Sequence, residues 1–326
     1  MRLIRKNCCF IKIRLIGLAI FILFISFSNS LFAQTPIKRN GESFVKTSLN
    51  AYSFNQLLSN EIKGEGEGLT LMELLDFCAE NNFDAIDITG YFFPGYPAVP
   101  SDKYINEVKK RAFQLGLDIS GTGIKNDFAN PDPVKRAADV TLAKAWIDVA
   151  VKLGAPVIRV FAGELPKGYE NKREEVATYM AESLKECAEY GKLRGVLVGV
   201  QNHGDFLQTA EQCIDMVKRV NSDWFGLVVD SGKFLTSDPY IDFEKAMPYA
   251  VNLQIKESPI GAGSSIKTNL PRLIKIIKNS GYRGYIPIET LQYKGKPRLG
   301  DIPYNPFDVV PVFFKDVKIA IKNEYK

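Results

Sequence analysis

The chain has 326 residues with a single histidine, which excludes zinc clusters and metalloprotease motifs that draw on several. Its formal charge of +5 is misleading, because five of the 42 Lys and Arg residues and no acidic residue lie in 1–33, leaving 37 basic against 37 acidic side chains. The near-neutral remainder is not expected to attract nucleic acid through a broad electrostatic field.

Residues 1–33 read as an export signal. Arg2, Arg5, Lys6, Lys12 and Arg14 make a basic start, Leu15–Phe27 is apolar apart from small residues, and Leu31-Phe32-Ala33 before Gln34 has the form of a cleavage site. The apolar run is shorter than the ~18 residues that mark a membrane span. The expected product is periplasmic or secreted, with no stable membrane insertion after cleavage. Residues 34–47 read as a short N-terminal extension and 48–326 as one domain. Of the five cysteines, Cys78, Cys187 and Cys213 follow this segment, each on the apolar stripe of a helical pattern. Core filling is the expectation for all three.

From Ser48 onward, β-rich apolar runs alternate with runs of helical period. Strands are predicted at Ser48–Ser53, Ala85–Thr89, Leu117–Thr122, Val157–Phe161, Leu197–Asn202, Gly226–Asp230, Asn252–Lys256 and Tyr285–Glu289. Helices are predicted at Leu71–Asn81, Asp102–Leu115, Pro133–Leu153, Arg173–Arg194, Ala210–Val220, Asp242–Tyr249, Pro271–Asn279 and Asp308–Asn323. Thr209 and Gln212 have capping-box spacing, and Pro133 suits a first helical position. Eight strand–helix units without an internal linker predict an α/β fold, a single (β/α)8 TIM barrel. A doubly wound sheet has no support, since no Gly-rich fingerprint follows the first strand.

A barrel places its chemistry at the C-terminal strand ends, where this chain concentrates polar residues. Asp230 ends LVVD and Glu289 ends IPIE. A carboxylate ending an apolar strand is costly to bury unless it is paired or has work to do. Gln201 and His203 share one face of their segment, as do Gln254 and Lys256. Arg159 lies within VIRVF and Asp87 within AIDIT. Arg159 and Lys256 either bind substrate oxygens or pair with Asp87, Asp230 or Glu289. His203 serves as acid, base or substrate donor, or is satisfied by loop backbone. The loop Tyr91–Tyr96 is either an aromatic surface for sugar C–H groups or a rigid lid. Ser258–Ser265 has the composition of a mobile segment and lacks P-loop spacing.

The order of strand endings, QNHGD, LVVDSG, LQIKES and IPIET, with LNAYSF and IRVFAG before them, resembles the xylose isomerase-like TIM barrels over nearly all of the chain after the signal. In the sugar epimerase branch of that family, Glu, Asp, His and Glu at the ends of strands five to eight hold a divalent metal, and the two glutamates move the proton. The matching positions here are Gln201, Asp230, Gln254 and Glu289. The resemblance implies a divalent metal at Asp230 and Glu289, with Gln201 and Gln254 as weak ligands, or none because two of the four are amides. The endonuclease branch, with its several histidines, fits worse.

The leading expectation is a sugar isomerase/epimerase-like enzyme acting on a small carbohydrate by proton abstraction next to a carbonyl. Glu289 is the base, and Asp230 and His203 are acid or orienting groups. Arg159 and Lys256 hold enediolate oxygens, and Gln201, Gln254 and Asp87 bind substrate. The alternatives are a lyase or hydratase acting on a keto sugar by the same first step, and a non-catalytic carbohydrate-binding barrel.

Overall fold

The computed structural model describes residues 44–262, 266–291 and 304–325. The predicted signal at 1–33, most of the extension and the end of the Ser258–Ser265 loop lie outside the described residues. Eight strands form a closed, all-parallel barrel in sequence order, β8 pairing back onto β1. They are β1 (Lys46–Asn50), β2 (Ala85–Thr89), β3 (Asp118–Gly123), β4 (Val157–Phe161), β5 (Leu197–Gln201), β6 (Phe225–Asp230), β7 (Ala250–Lys256) and β8 (Tyr285–Glu289). Around them run α1 (Asn55–Lys63), α2 (Leu71–Glu80), α3 (Asp102–Gln114), α4 (Pro133–Leu153), α5 (Arg173–Arg194), α6 (Ala210–Val220), α7 (Pro239–Ala246), α8 (Leu270–Asn279) and α9 (Pro306–Glu324).

The helices begin and end where side chains satisfy their free backbone groups. Thr70 with Glu73 and Thr209 with Gln212 form complete capping boxes, Asp132 caps the Pro133 start, and Gly154 and Gly195 end α4 and α5 in the left-handed conformation. Three predictions miss for local reasons. β1 starts two residues early and stops at Asn50, because the Asn50 side chain accepts from Tyr52 N at 2.9 Å and turns Ala51–Phe54 into a 3-10 helix. α7 begins at Pro239, capped by Asp238, and gives way to a 3-10 turn at Met247–Tyr249, where Pro248 has no N–H to continue the ladder. α1 was not predicted; only Leu58 of it is buried, so it shows no apolar stripe.

Outward strand residues such as Ile86, Ile88, Ile158, Val160, Val198, Val200, Leu253 and Ile288 pack under the helices and are fully buried. The lumen is polar in layers. Lys46 and Asp118 pair at 2.6 Å at the bottom, joined by the Tyr285 hydroxyl at 3.1 Å. Above them Ser48 and Ser120 share a hydrogen bond of 2.7 Å, and Asn252 donates to Asp87 at 3.2 Å. The functional residues fill the top. Cys78, Cys187 and Cys213 are buried free thiols in the helical layer.

Candidate active site

The last inward residues of β5 to β8 stand side by side because the strands alternate and the barrel staggers their register. Asp230 lies opposite Gln254, and Lys256, two residues further on, lies opposite Glu289. Together with Gln201 they close a ring of hydrogen bonds. The Gln201 amide nitrogen donates to Asp230 Oδ2 at 2.7 Å and to Gln254 Oε1 at 3.1 Å. The Gln254 amide nitrogen donates to Glu289 Oε2. Lys256 Nζ donates to Glu289 Oε1 and lies 3.5 Å from Asp230 Oδ2. Asp230 Oδ1 accepts from Gly232 N at 2.8 Å, and Asn202 grips the Asp230 backbone on both its N–H and its carbonyl. Side-chain exposure is 0% for Asp230, 1% for Glu289 and 5% for Lys256.

A cavity of about 780 Å³ opens above this ring. Gln201, Gln254, Lys256 and Glu289 form its floor on one side, with His203, Asp205 and Lys233 above them. The other side is aromatic: Tyr52, Tyr91, Phe92 and Phe161. Tyr91 is edge-on to Tyr52 and to Tyr96, and the Tyr96 hydroxyl accepts from Lys125 N at 2.7 Å. The 91–96 loop is thereby braced against the β3 loop. In the described part of Ser258–Ser265, Gly261 N and Ala262 N bond to Ser231 O and Phe234 O.

The remaining sequence candidates occupy distinct places. Among the described residues Arg159 bonds no carboxylate. It donates to Ile124 O and to the Tyr91 hydroxyl, at 2.8 Å for the latter, and stacks 4.0 Å from the Phe161 ring. It reaches across β3 only because position 123 is glycine; a Cβ there would lie 2.9 Å from the guanidinium. His203 also packs against the Phe161 ring, with ring centroids 4.5 Å apart. Burial, then the charges of Lys233, Arg159 and Lys256, push its pKa down to about 3. That favours a neutral imidazole near pH 7, able to donate or accept a hydrogen bond. Asp87 lies a layer below, bonded to Asn252, and is not among the residues lining the cavity. Burial raises its pKa to about 6. Asp230 is likewise behind the wall.

Glu289 titrates above its ordinary range, chiefly through burial, with Lys256 opposing and Asp230 adding to the shift. Asp205, also on the wall, is pushed up to about 6 by burial. Asp205, Lys233, Asn126, Asp127 and Tyr52, which are not among the sequence candidates, also line the cavity. Each follows a strand end within a few residues, so the rule used for β5 to β8 would have found them.

A divalent cation needs converging oxygen or imidazole acceptors. Carboxylates only accept, so the nitrogens of Gln201 and Gln254, not their oxygens, face Asp230 and Glu289. With Lys256 added, three N–H groups point at two carboxylates. No three His, Cys, Asp or Glu side chains gather among the described residues. This donor set does not fit a divalent metal.

Residues 75–303, more than half of the chain, match the family model described as "Xylose isomerase-like TIM barrel". The chain belongs to this family. Similar solved structures include D-psicose 3-epimerase from Clostridium cellulolyticum H10 (18% identity, TM-score 0.66, covering 86% of this chain and 98% of that one). L-ribulose 3-epimerase is similar too (15%, TM-score 0.67, 86% and 96%), as is 3-keto-D-glucoside 4-epimerase from E. coli (10%, TM-score 0.64, 85% and 100%). At these identities the likeness establishes the fold alone. A curated relative, 3-dehydroshikimate dehydratase of Pseudomonas aeruginosa, is 25% identical over 171 residues, 52% of this chain. The match spans 25% of that longer protein.

Proposed function

We propose that this family member is an isomerase/epimerase-type enzyme that removes a proton from the carbon beside a carbonyl of a small carbohydrate, with Glu289 as the base. The observation that carries this reading is Glu289 itself: a buried carboxylate on the cavity wall whose raised pKa makes it a stronger base than an exposed glutamate. Glu289 takes the proton, the C–H electron pair forms the new C=C bond, and the carbonyl π pair moves onto oxygen. The Lys256 ammonium, beside Glu289 on the same wall, receives that oxygen's charge. Arg159 at the cavity's aromatic side binds a further hydroxyl or carbonyl. Tyr52, Tyr91 and Phe161 offer ring faces to the sugar's C–H surface.

Gln201 shapes the outcome. Inversion at one carbon by two bases needs a second acceptor across the substrate, and an amide is no base. One base is enough when the proton returns to the neighbouring carbon on the same face, as in aldose–ketose isomerisation. A second reading, elimination or hydration on a keto sugar, shares that first step. It is favoured by Gln201 and by the dehydratase among the relatives. Asp205, protonated up to about pH 6, then supplies the leaving hydroxyl's proton.

Incubation with aldoses, ketoses and keto-glycosides, read by product mass, separates the two: unchanged mass means isomerisation, and loss or gain of water means lyase or hydratase chemistry. On a confirmed substrate, Glu289→Gln should lose roughly 10²–10⁴-fold in kcat while keeping the fold by circular dichroism. Full turnover in that variant would remove Glu289 as the base, and a sugar-binding protein that turns nothing over would favour the non-catalytic barrel. We also propose export, supported by the basic and apolar pattern of 1–33. No helix among the described residues is long and apolar enough to cross a membrane. N-terminal sequencing of the chain secreted by a bacterial host should begin at Gln34.

A further inference from the structure

We propose that the Lys256 ammonium is the resident cation of this barrel, standing between Asp230 and Glu289 where the family's epimerase branch keeps a divalent ion, and that it excludes such an ion from the site. This rests on the reading of the β5–β8 mouth as the reaction centre, but not on which reaction it runs.

Position is the first support. Lys256 Nζ contacts one oxygen of each carboxylate, Glu289 Oε1 and Asp230 Oδ2. A dication bridging the two carboxylates would sit within a few ångströms of the ammonium, and the repulsion between the two positive charges opposes its binding. The hydrogen-bond polarity around it is the second support. Asp230 has donors on both oxygens, from Gly232 N, Gln201 and Lys256, and Glu289 has donors on both, from Gln254 and Lys256. Every oxygen of the two carboxylates thus already faces an N–H donor.

Charge is the third. Three carboxylates around a dication, the arrangement implied by the family resemblance, leave one net negative charge. Two carboxylates around an ammonium leave the same. The change of a glutamate to Gln201 and the presence of Lys256 therefore compensate each other, and Gln254 exchanges one neutral side chain for another. A buried site that retains its net charge retains much of its electrostatic character. Asp230, behind the cavity wall, becomes a positioning residue that holds Lys256 beside Glu289.

The test is direct binding of Mn²⁺ without substrate, followed by the electron paramagnetic resonance of the free ion and by thermal melting with Mn²⁺ or with chelator. The purified protein should take up no stoichiometric Mn²⁺, and its Tm should be unmoved by either addition. Lys256→Met combined with Gln201→Glu and Gln254→His should bind close to one equivalent, at least about tenfold more tightly than the parent, and should be stabilised by Mn²⁺. Lys256→Met alone, the safer variant to fold, should tighten binding in the same direction. A parent protein that retains one equivalent through dialysis, and loses it in Asp230→Asn, overturns the proposal. So does a folded triple variant that binds no better than the parent. Neither outcome depends on turnover, so failure here is distinct from failure of the Glu289→Gln test.

Discussion

Asp87 and His203 show how far burial alone alters a side chain in this barrel. Asp87 keeps one amide partner, Asn252, in the layer under the site, with the charges of Arg159 and Glu289 acting on it from above. Its pKa of about 6 exceeds the ordinary value of 3.8, so the folded protein binds its proton more tightly than the unfolded chain. Stability from this group is therefore greatest below about pH 4 and is lost as pH rises through 6, by at most about 3 kcal/mol. Asp87→Asn should consequently raise Tm more at pH 7.5 than at pH 5, as differential scanning fluorimetry at the two values will show. An equal shift at both would contradict the burial argument. His203 titrates far below neutrality, so no limb of the pH–rate profile near neutral pH should belong to it, and any limb near 6 should be Asp205's. The acidic limb should belong to Glu289 and lie above the ordinary carboxylate range, and His203→Gln should leave the limb in place.

At the level of elements, strand ends deliver chemistry and their neighbours make room for it. β4 carries Arg159, yet the guanidinium works from the β3 side because Gly123 leaves space. Gly123→Ala should displace Arg159 from Tyr91 and Ile124 and raise KM severalfold, with far less change in Tm. If KM is unchanged, Arg159 does not bind substrate from this position. β2, β4 and β8 have the predicted bounds, because each is a short apolar run closed by a polar or glycine-containing turn. α1 escaped detection because it lies over the barrel rim and buries only Leu58, so no periodic stripe marks it. The 3-10 turn after Asn50 escaped because a single side-chain bond to Tyr52 N ends the strand, and β propensity carries no trace of it.

Across the described residues, the helical layer carries the three free cysteines and the lumen gathers the charges. Cys78, Cys187 and Cys213 are buried and unpaired, and burial raises each thiol well above its ordinary range. Reductant should leave Tm of the chain from Gln34 onward unchanged; a drop on adding dithiothreitol would reveal a stabilising bridge. By itself, the sequence determined the eight-unit barrel and the end of it that carries the polar residues. Apolar periodicity and strand endings are local properties that survive without knowledge of distant partners. Only the tertiary structure decided the pairing. Lys256 and Glu289 are 33 residues apart, and Gln201 and Asp230 are 29. Barrel closure brings them within bonding distance, sends the amide nitrogens toward the carboxylates, places Asp87 below the cavity and leaves His203 neutral. Charge pairing and burial are properties of neighbours in space, and that is why the residues were legible while their roles were not.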